Sequence, residues 1–584
     1  MDRLRTKRVT RSQTSVVAED KPAKKTKKES ASSSTPNPPM QPFPDDDLEC
    51  PPVTNISKLE DIYPDTTPQK PRYENLKTKF QKHFGCVPTF FARSPGRVNL
   101  IGEHIDYSLF PVMPMAIDRD CIIAVATSRT SKPNPEIFIA NSDDRYPARE
   151  FLHLSKEEGY VEIDATVHEW TNYFKCGYKG VFEELGLEEA RDMMVMVDGT
   201  VPSGAGVSSS SAFVCCSALA TMIANGITMS KARLTQTAIR SEQYAGVHIG
   251  GMDQSSSIMG ISDSVLLIDF YPKLQVNPIS LPPSKPSPVF VIANTLVTSD
   301  KHVTAPQNYN LRVVECRMAA ALLATIVGVS VTLTENGVVK PTSLRHVAEE
   351  YFEISKKESY ATTVFEECAP RVLADLLAVV EKNFKDEPYS KTVLSKELQM
   401  KAKAIDDIFI NGILIHAETF NLKHRAIHVL SESRRVYQFR DVCAGKPPST
   451  GPANLLTDIG KLMNESQESC RDHFMCSCPE LDEITALARA SGAYGSRLTG
   501  AGWGGCSVSM VAEGEVEAFI EKLKVGYYYK KWPEWRNDAG KKAALKDVIF
   551  ASRPCAGAFI VKSSTSPMKL IKRSRNSVDL SLTV

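Results

Sequence analysis

No run in this 584-residue chain reaches the roughly 18 uninterrupted apolar residues that a membrane span needs. The nearest, Met318 to Leu333, is divided by Gly328 and Ser330, which predicts an alanine-rich helix and then a short strand. Neither sign of charge is in excess: 70 Lys and Arg face 69 Asp and Glu, so nothing pulls the whole chain toward nucleic acid or a membrane surface. Its fourteen cysteines include no C-x2-C pair of the zinc type, and Cys215/Cys216 and Cys476/Cys478 are spaced poorly for a metal. No secretory apolar segment opens the sequence, so the thiols are expected to be reduced, several of them buried, in a cytosolic protein. Internal repeats are also absent. What remains, 42% hydrophobic and 24% charged residues, is ordinary for a globular protein of two or three domains.

The ends differ from the middle. Residues 1–30 carry ten Lys and Arg against four Asp and Glu, and 563–584 carry four against one. Lys, Ser, Thr and Pro dominate residues 1–55, which predicts a disordered extension. The cluster Lys21-Pro22-Ala23-Lys24-Lys25-Thr26-Lys27-Lys28 reads as a nuclear localisation signal or equally as a solvated tail. Folded structure is expected from near Arg72, with helical spacing over Tyr73 to Phe80. Strands are expected over Cys121 to Thr127, Val265 to Phe270 and Val289 to Ala293. Helices are expected over Ser230 to Tyr244, Pro370 to Asn383 and His424 to Phe439. The second of these opens on a proline, which a first turn tolerates. Leu281 to Pro288, rich in Pro and Ser, marks a domain joint.

Three segments carry the chemistry. Ser94-Pro95-Gly96-Arg97-Val98-Asn99-Leu100-Ile101-Gly102-Glu103-His104-Ile105-Asp106-Tyr107 concentrates hydrogen-bonding groups that suit a small polyhydroxylated ligand. By itself it also reads as a polar turn. Val201-Pro202-Ser203-Gly204-Ala205-Gly206-Val207-Ser208-Ser209-Ser210-Ser211-Ala212 follows a strand-like run, Met193 to Val197, and precedes an apolar helical run, Phe213 to Ala224. A glycine-rich loop entering a helix N-terminus is an anion site, because unpaired N–H groups and the helix dipole face the ligand. It is not a Walker A loop, lacking Gly-Lys-Ser/Thr, and a glycine-serine loop is more often a plain connector. Ser496-Arg497-Leu498-Thr499-Gly500-Ala501-Gly502-Trp503-Gly504-Gly505-Cys506 would make a costly strand, so it predicts close backbone approach to a ligand or a tight turn before the strand Ser507 to Val511.

In order and separation these segments resemble the three motifs of the GHMP small-molecule kinases, and the first resembles the galactokinase version. The likeness runs from about Arg72 to about Val561, is greatest to galactokinases of the fungal type, and is next greatest to N-acetylgalactosamine kinases. Trp170 to Gly177, Ile292 to Val297, Asn308 to Val313 and Cys476 to Asp482 support it. The resemblance implies an α+β fold of two lobes with the active site in the cleft between them. Pattern alone predicts only mixed α and β in two domains. The lobes would span 56–283 and 284–562, between the extension 1–55 and a basic tail 563–584.

The resemblance further implies phosphorylation of D-galactose at C1 by ATP with Mg²⁺. Asp253 would be the base or orienting acceptor, with Arg97 beside it holding it ionised and stabilising charge in flight. Read without the family, Gly250-Gly251-Met252-Asp253 is a helix cap. Glu103, His104, Asp106, Gly250 and Tyr309 match sugar contacts, although His104 alone reads as a structural hydrogen bonder. Gly204, Gly206, Ser208 and Ser209 would cradle the triphosphate. Ser210 and Glu242 would hold Mg²⁺, although Glu242 alone reads as an exposed helix residue. Trp170, Ser299 and Lys301 are candidate adenine contacts, and Trp503 is expected to pack under the third motif.

Ser211 is one serine more than galactokinases usually carry, a feature of N-acetylgalactosamine kinases. Tyr309 and Ile249 argue instead for galactose, since the relatives acting on the N-acetyl sugar resemble one another in having phenylalanine for Tyr309. A different reading, a galactose- and ATP-binding sensor that engages a transcriptional repressor, is disfavoured by the full-length serine segment. The expected partners are galactose and ATP, with no nucleic acid or membrane. The expected location is cytoplasmic, with a nuclear pool if the basic N-terminus acts as a signal.

Overall fold

The computed structural model describes residues 50–167, 169–246, 250–298, 306–330, 333–335, 338–340, 342–359 and 364–563. Ile249, Ser299, Lys301, the basic cluster 21–28 and the tail after Ser563 lie outside the described residues.

Seventeen strands occur among the described residues. The larger sheet holds β1 (Val53–Asn55), β2 (Phe90–Ile101), β3 (Met113–Thr127), β4 (Glu136–Asn141), β5 (Arg149–Leu152), β6 (Met193–Gly199) and the last strand, β17 (Phe559–Lys562). Their order is β1–β17–β2–β3–β6–β4–β5. A hairpin follows in the chain, β7 (Ser264–Asp269) with β8 (Gln275–Ser280). The second sheet joins β9 (Pro288–Asn294), β14 (Gly495–Thr499), β15 (Cys506–Ala512) and β16 (Ile549–Ser552) in the order β14–β15–β9–β16, every pair antiparallel. Two short pairs complete the set, β10 (Leu333–Glu335) with β11 (Val338–Lys340) and β12 (Tyr389–Ser390) with β13 (Thr419–Phe420). No helix of the described residues is long and apolar enough to cross a membrane.

β2 and β3 are apolar on both faces because both faces are covered. Phe90, Ala92, Ile123 and Val125 join the cluster that holds the helix Ser209–Ala224, while Phe91, Ile122 and Ala124 join Tyr73, Leu76 and Phe80 of the helix Gln69–Phe84. Period-two alternation thus splits each strand between two cores. Register slips between Pro95 and Arg97, and again between Asn99 and Ile101. Such irregularities bend a strand and re-aim side chains, here within the first motif.

Three expectations need correction. Folding starts well before Arg72, and residues 53–55 belong to the sheet: β1 pairs parallel with β17, and Leu59, Ile62 and Tyr63 are buried. The expected lobe 284–562 is not self-contained, because its last strand, β17, lies in the first sheet beside β2. Pro370 sits inside the helix Phe365–Asn383, not in its first turn. The Glu366 carbonyl, four residues earlier, accepts instead from Arg440 Nη2 at 3.2 Å, which offsets the missing N–H. Other elements agree with the reading, including β3, β6, β7, β9, β15 and the helices Ser209–Ala224, Lys231–Glu242, Tyr309–Val327 and Leu422–Cys443.

A chain beginning at Ile56 is expected to melt about 1–2 °C below one beginning at Cys50, from a loss of ~1–2 kcal/mol. It would lack the Ile560 N–H to Pro52 bond (2.9 Å), the Thr54 to Asp61 bond (2.6 Å) and the pairing of β1. Equal melting temperatures of the two truncated proteins would show that β1 adds nothing.

Candidate active site

The first motif ends β2 and turns through Gly102, Glu103 and His104 into the short helical turn Asp106–Ser108. Arg97 is 2% exposed, and its Nε and Nη2 lie 2.8 and 2.7 Å from Asp253 Oδ1. Asp253 stands in the first turn of the helix Met252–Met259. The third corner of the guanidinium, Nη1, donates to the Gly206 carbonyl at 2.7 Å. One buried cation therefore ties the first motif to the carboxylate and to the glycine-serine loop, which is the geometry of a charge-assisted fork.

Two further carboxyls lie beside that pair. Burial pushes Glu103 up to about 7, against the pull of Arg497 and Arg97. Burial and then the neighbouring Asp253 charge push Asp106 up to about 6. Gly250 lies directly against Asp106: a Cβ there would sit 2.2 Å from Oδ2 and 2.9 Å from Cβ of that side chain. His104 has both ring nitrogens engaged within the protein. Nε2 donates to the Ala501 carbonyl at 2.8 Å, which leaves Nδ1 to accept from the Tyr107 hydroxyl at 3.0 Å. Tyr309, Phe474 and Trp503 pack around its ring. Tyr309 opens the helix Tyr309–Val327, and burial followed by the charge of Asp106 raises its phenol well above the usual range.

In the second motif Ser208 has φ +64° and caps the helix Ser209–Ala224, which runs into the core. Ser203 and Gly204 are exposed, Gly206, Ser209 and Ser210 half-buried. The Ser208 hydroxyl is buried with no protein partner, while Ser209 donates to the Val201 carbonyl at 3.3 Å. Ser211, the extra serine, is fully buried. Trp170 stacks near Phe213 of the same helix, with 12° between the rings, and its Nε1 donates to the Pro147 carbonyl at 3.1 Å. Glu242 is not on an exposed face: it is 1% exposed, and its Oε2 accepts from Gln254 Nε2 at 2.6 Å. Ser210 and Glu242 supply hydroxyl and carboxylate oxygens, the hard donors that suit Mg²⁺.

The third motif's glycines make close approaches to protein backbone. A Cβ on Gly500 (φ +86°) would lie 2.2 Å from the Gly206 carbonyl, so only glycine lets β14 end against the second motif. Trp503 is fixed from below, its N–H donating to Cys476 O at 2.7 Å and its Nε1 to Met475 O at 3.0 Å.

Buried polar and charged residues outside the assigned set also support the site. Arg497 on β14 is fully buried and donates to Glu103 Oε2 at 3.1 Å and to the Asn99 carbonyl at 2.9 Å. His428 and Glu432, on the helix Leu422–Cys443, reach the Gly102–Glu103 backbone. Their spacing with Arg435, i, i+4 and i+7, is one helix face, a signal available in the sequence.

Comparison with known proteins shows what the chain as a whole is similar to. The galactokinase galactose-binding signature matches residues 78–127, the GHMP kinases N terminal domain 172–261 and the GHMP kinases C terminal domain 453–529. The galactokinase of Dictyostelium discoideum is 38% identical over 87% of this chain and 98% of its own length. That of Saccharomyces cerevisiae is 38% identical over 82% of this chain and 93% of its own, and that of Schizosaccharomyces pombe 35% over 86% and 97%. In fold, the crystal structure of Lactococcus lactis galactokinase complexed with galactose is similar with a TM-score of 0.56 at 21% identity, covering 83% of this chain and 99% of that one.

Proposed function

We infer from its membership of the galactokinase family of the GHMP kinases, to which this chain belongs, that it phosphorylates D-galactose at C1 with ATP, giving α-D-galactose 1-phosphate and ADP. The observation that carries this reading to particular residues is the bridge from Asp253 through Arg97 to the Gly206 carbonyl. It brings the carboxylate near the sugar turn into register with the phosphate loop.

In the reaction the C1 oxygen bonds to the γ-phosphorus as the bond from that phosphorus to the β–γ bridging oxygen breaks. The hydroxyl proton passes to the Asp253 carboxylate, and ADP takes the bond's electron pair. A loose transition state asks more of positioning and charge stabilisation than of the base. Arg97 supplies a fixed positive charge for that purpose, in a site dry enough to strengthen it. Glu103 and Asp106 accept from sugar hydroxyls in their ionised forms, and Gly250 and Tyr309 shape the same wall. Backbone N–H groups of Gly204, Gly206, Ser208 and Ser209 hold the phosphates at the helix N-terminus. Ser210 and Glu242 would hold Mg²⁺, which when bound neutralises phosphate charge. Trp170 offers a stacking face for adenine.

A panel of galactose, N-acetylgalactosamine, glucose and mevalonate with ATP tests the reading. Galactose is expected to be turned over best. A bulkier C2 substituent overpacks the pocket by ~1–3 kcal/mol, so kcat/KM for N-acetylgalactosamine should be about ten- to a hundredfold lower. Equal or better turnover of the N-acetyl sugar would reassign the substrate, and no turnover of any sugar would return the sensor reading.

A further inference from the structure

The first turn of sugar recognition is held from a distant helix. Glu432 is fully buried on the helix Leu422–Cys443, and its Oε1 accepts from three donors: Gly102 N–H at 2.8 Å, Glu103 N–H at 3.2 Å and Ser466 Oγ at 2.7 Å. Its Oε2 accepts from Arg435 Nε at 2.9 Å. One turn earlier, His428 Nε2 donates to the Glu103 carbonyl at 3.0 Å and its Nδ1 accepts from Ser469 Oγ at 2.9 Å. Both backbone polar groups of Glu103 are therefore gripped by a single helix. Arg497 Nη2 sits between the two carboxylates, 3.1 Å from Glu103 Oε2 and 4.0 Å from Glu432 Oε1.

We propose that Glu432 is a positioning residue for the sugar: it clamps the Gly102–Glu103 backbone so that the Glu103 carboxylate and the Asp106 that follows meet the sugar hydroxyls together. The proposal rests on the galactose-kinase reading and deepens it. Two consecutive amides on one carboxylate oxygen define a peptide orientation more tightly than packing does, and unpairing buried N–H groups is costly. Glu432 touches neither Arg97 nor the phosphate loop in any of these bonds. Its effect should fall on galactose KM and leave ATP KM alone.

The clamp also carries charge. Burial raises Glu432, but Arg435 and then Arg497 outweigh it and hold the carboxyl down at about 2, so it is an anion throughout the working range. The groups facing Glu103 are Arg497, Arg97, Glu432, Tyr309 and Cys476, with His428 at its carbonyl. Among these Glu432 is an anion whose charge raises Glu103. Ionised Glu103 is the form that accepts from hydroxyls, so galactose binding weakens as pH falls through about 7, and further as Asp106 protonates near about 6. Neutralising Glu432 lowers the Glu103 value and moves the first of these losses to lower pH.

Glu432→Gln is expected to raise galactose KM about tenfold or more, to leave ATP KM within about twofold, and to shift the acid limb of kcat/KM for galactose to lower pH. Glu432→Asp keeps the charge but withdraws it by one methylene, so KM should rise while the acid limb stays in place. Should Glu432→Gln not fold, Ser466→Ala loosens the same oxygen and should raise galactose KM about two- to threefold, again without change for ATP. Unchanged galactose KM in a folded Glu432→Gln protein, or in Ser466→Ala where that protein does not fold, would overturn the proposal. Equal rises in both KM values, with an unmoved pH profile, would mean that Glu432 only supports the fold. Galactose turnover by the unmodified chain, measured alongside, separates these outcomes from a failure of the substrate reading itself.

Discussion

Asp253→Asn is expected to lower turnover by about 10²–10⁴, the range for losing a general acid–base group, in a protein that still folds and still binds ATP. The amide keeps the shape and one acceptor oxygen but removes the charge and the capacity to take a proton. Arg97, 2% exposed, then faces a neutral group at 2.8 Å, and part of its fork is left without a counter-charge. Its bond to the Gly206 carbonyl does not involve Asp253, so the phosphate loop keeps its tie to the first motif. Nucleotide affinity should therefore stay within a few-fold, while galactose affinity falls more. Single-turnover measurement of phosphoryl transfer, with ATP binding followed separately, checks both halves. Transfer within about tenfold of the unmodified protein would make Asp253 a helix cap and move the active site elsewhere.

Gly250→Ala is expected to raise galactose KM by about a hundredfold, or to abolish saturation, with ATP KM unchanged. The backbone at Gly250 is not left-handed, so alanine brings no dihedral strain, and the effect isolates contact. The added Cβ would stand 2.2 Å from Asp106 Oδ2 and 2.4 Å from its Cγ. It also meets the Asp106 Cβ at 2.9 Å, so rotating the carboxylate away does not relieve the overlap and the turn itself must shift. Overpacking of this kind costs ~1–3 kcal/mol, and here it displaces a sugar-facing acid directly. Initial rates over galactose at saturating ATP, and the reverse, separate the two substrates. A galactose KM within about twofold of the unmodified value would mean that the Asp106 wall does not bind the sugar.

Much of this was legible in one dimension. Arg97, Glu103, Asp106, the loop Val201 to Ser208 and Asp253 stand in short segments whose order and residue types resemble the family's motifs, and it is that resemblance which implies their roles. A glycine-serine loop entering an apolar helix can serve as an anion site because the orphan N–H groups are local, although such a loop by itself is more often a connector. The helical run Phe213 to Ala224 and the part of β3 from Cys121 to Thr127 were plain, since near-continuous apolar runs have little choice but burial. β2 does not read as a strand, because its second half carries the polar first motif.

The rest depended on contacts between remote segments. β1 is three residues long and carries no pattern of its own; it is a strand because β17, at the other end of the described chain, offers its edge. Its neighbours Leu59, Ile62 and Tyr63 are buried for the same reason: the helix Gln69–Phe84 and the outer face of β2 and β3 close over them. Glu432 lies 330 residues from the Gly102 amide it holds, and Arg497 lies 394 from the Glu103 carboxylate it pairs. Read singly, both are charged residues that a sequence places at the surface.

The periodicity of core strands and helices therefore determined most elements, since it rests on interactions within a few residues. The order and residue types of the motifs pointed to the family, and through it to the chemistry, by resemblance. Burial of Glu242, the His104 bond to Ala501, the Gly500 approach to Gly206 and the clamp on Glu103 arose only when separate segments packed together. A buried charge is stable only beside its partner, and which partner it meets is decided by how distant segments pack, a property that local pattern does not encode.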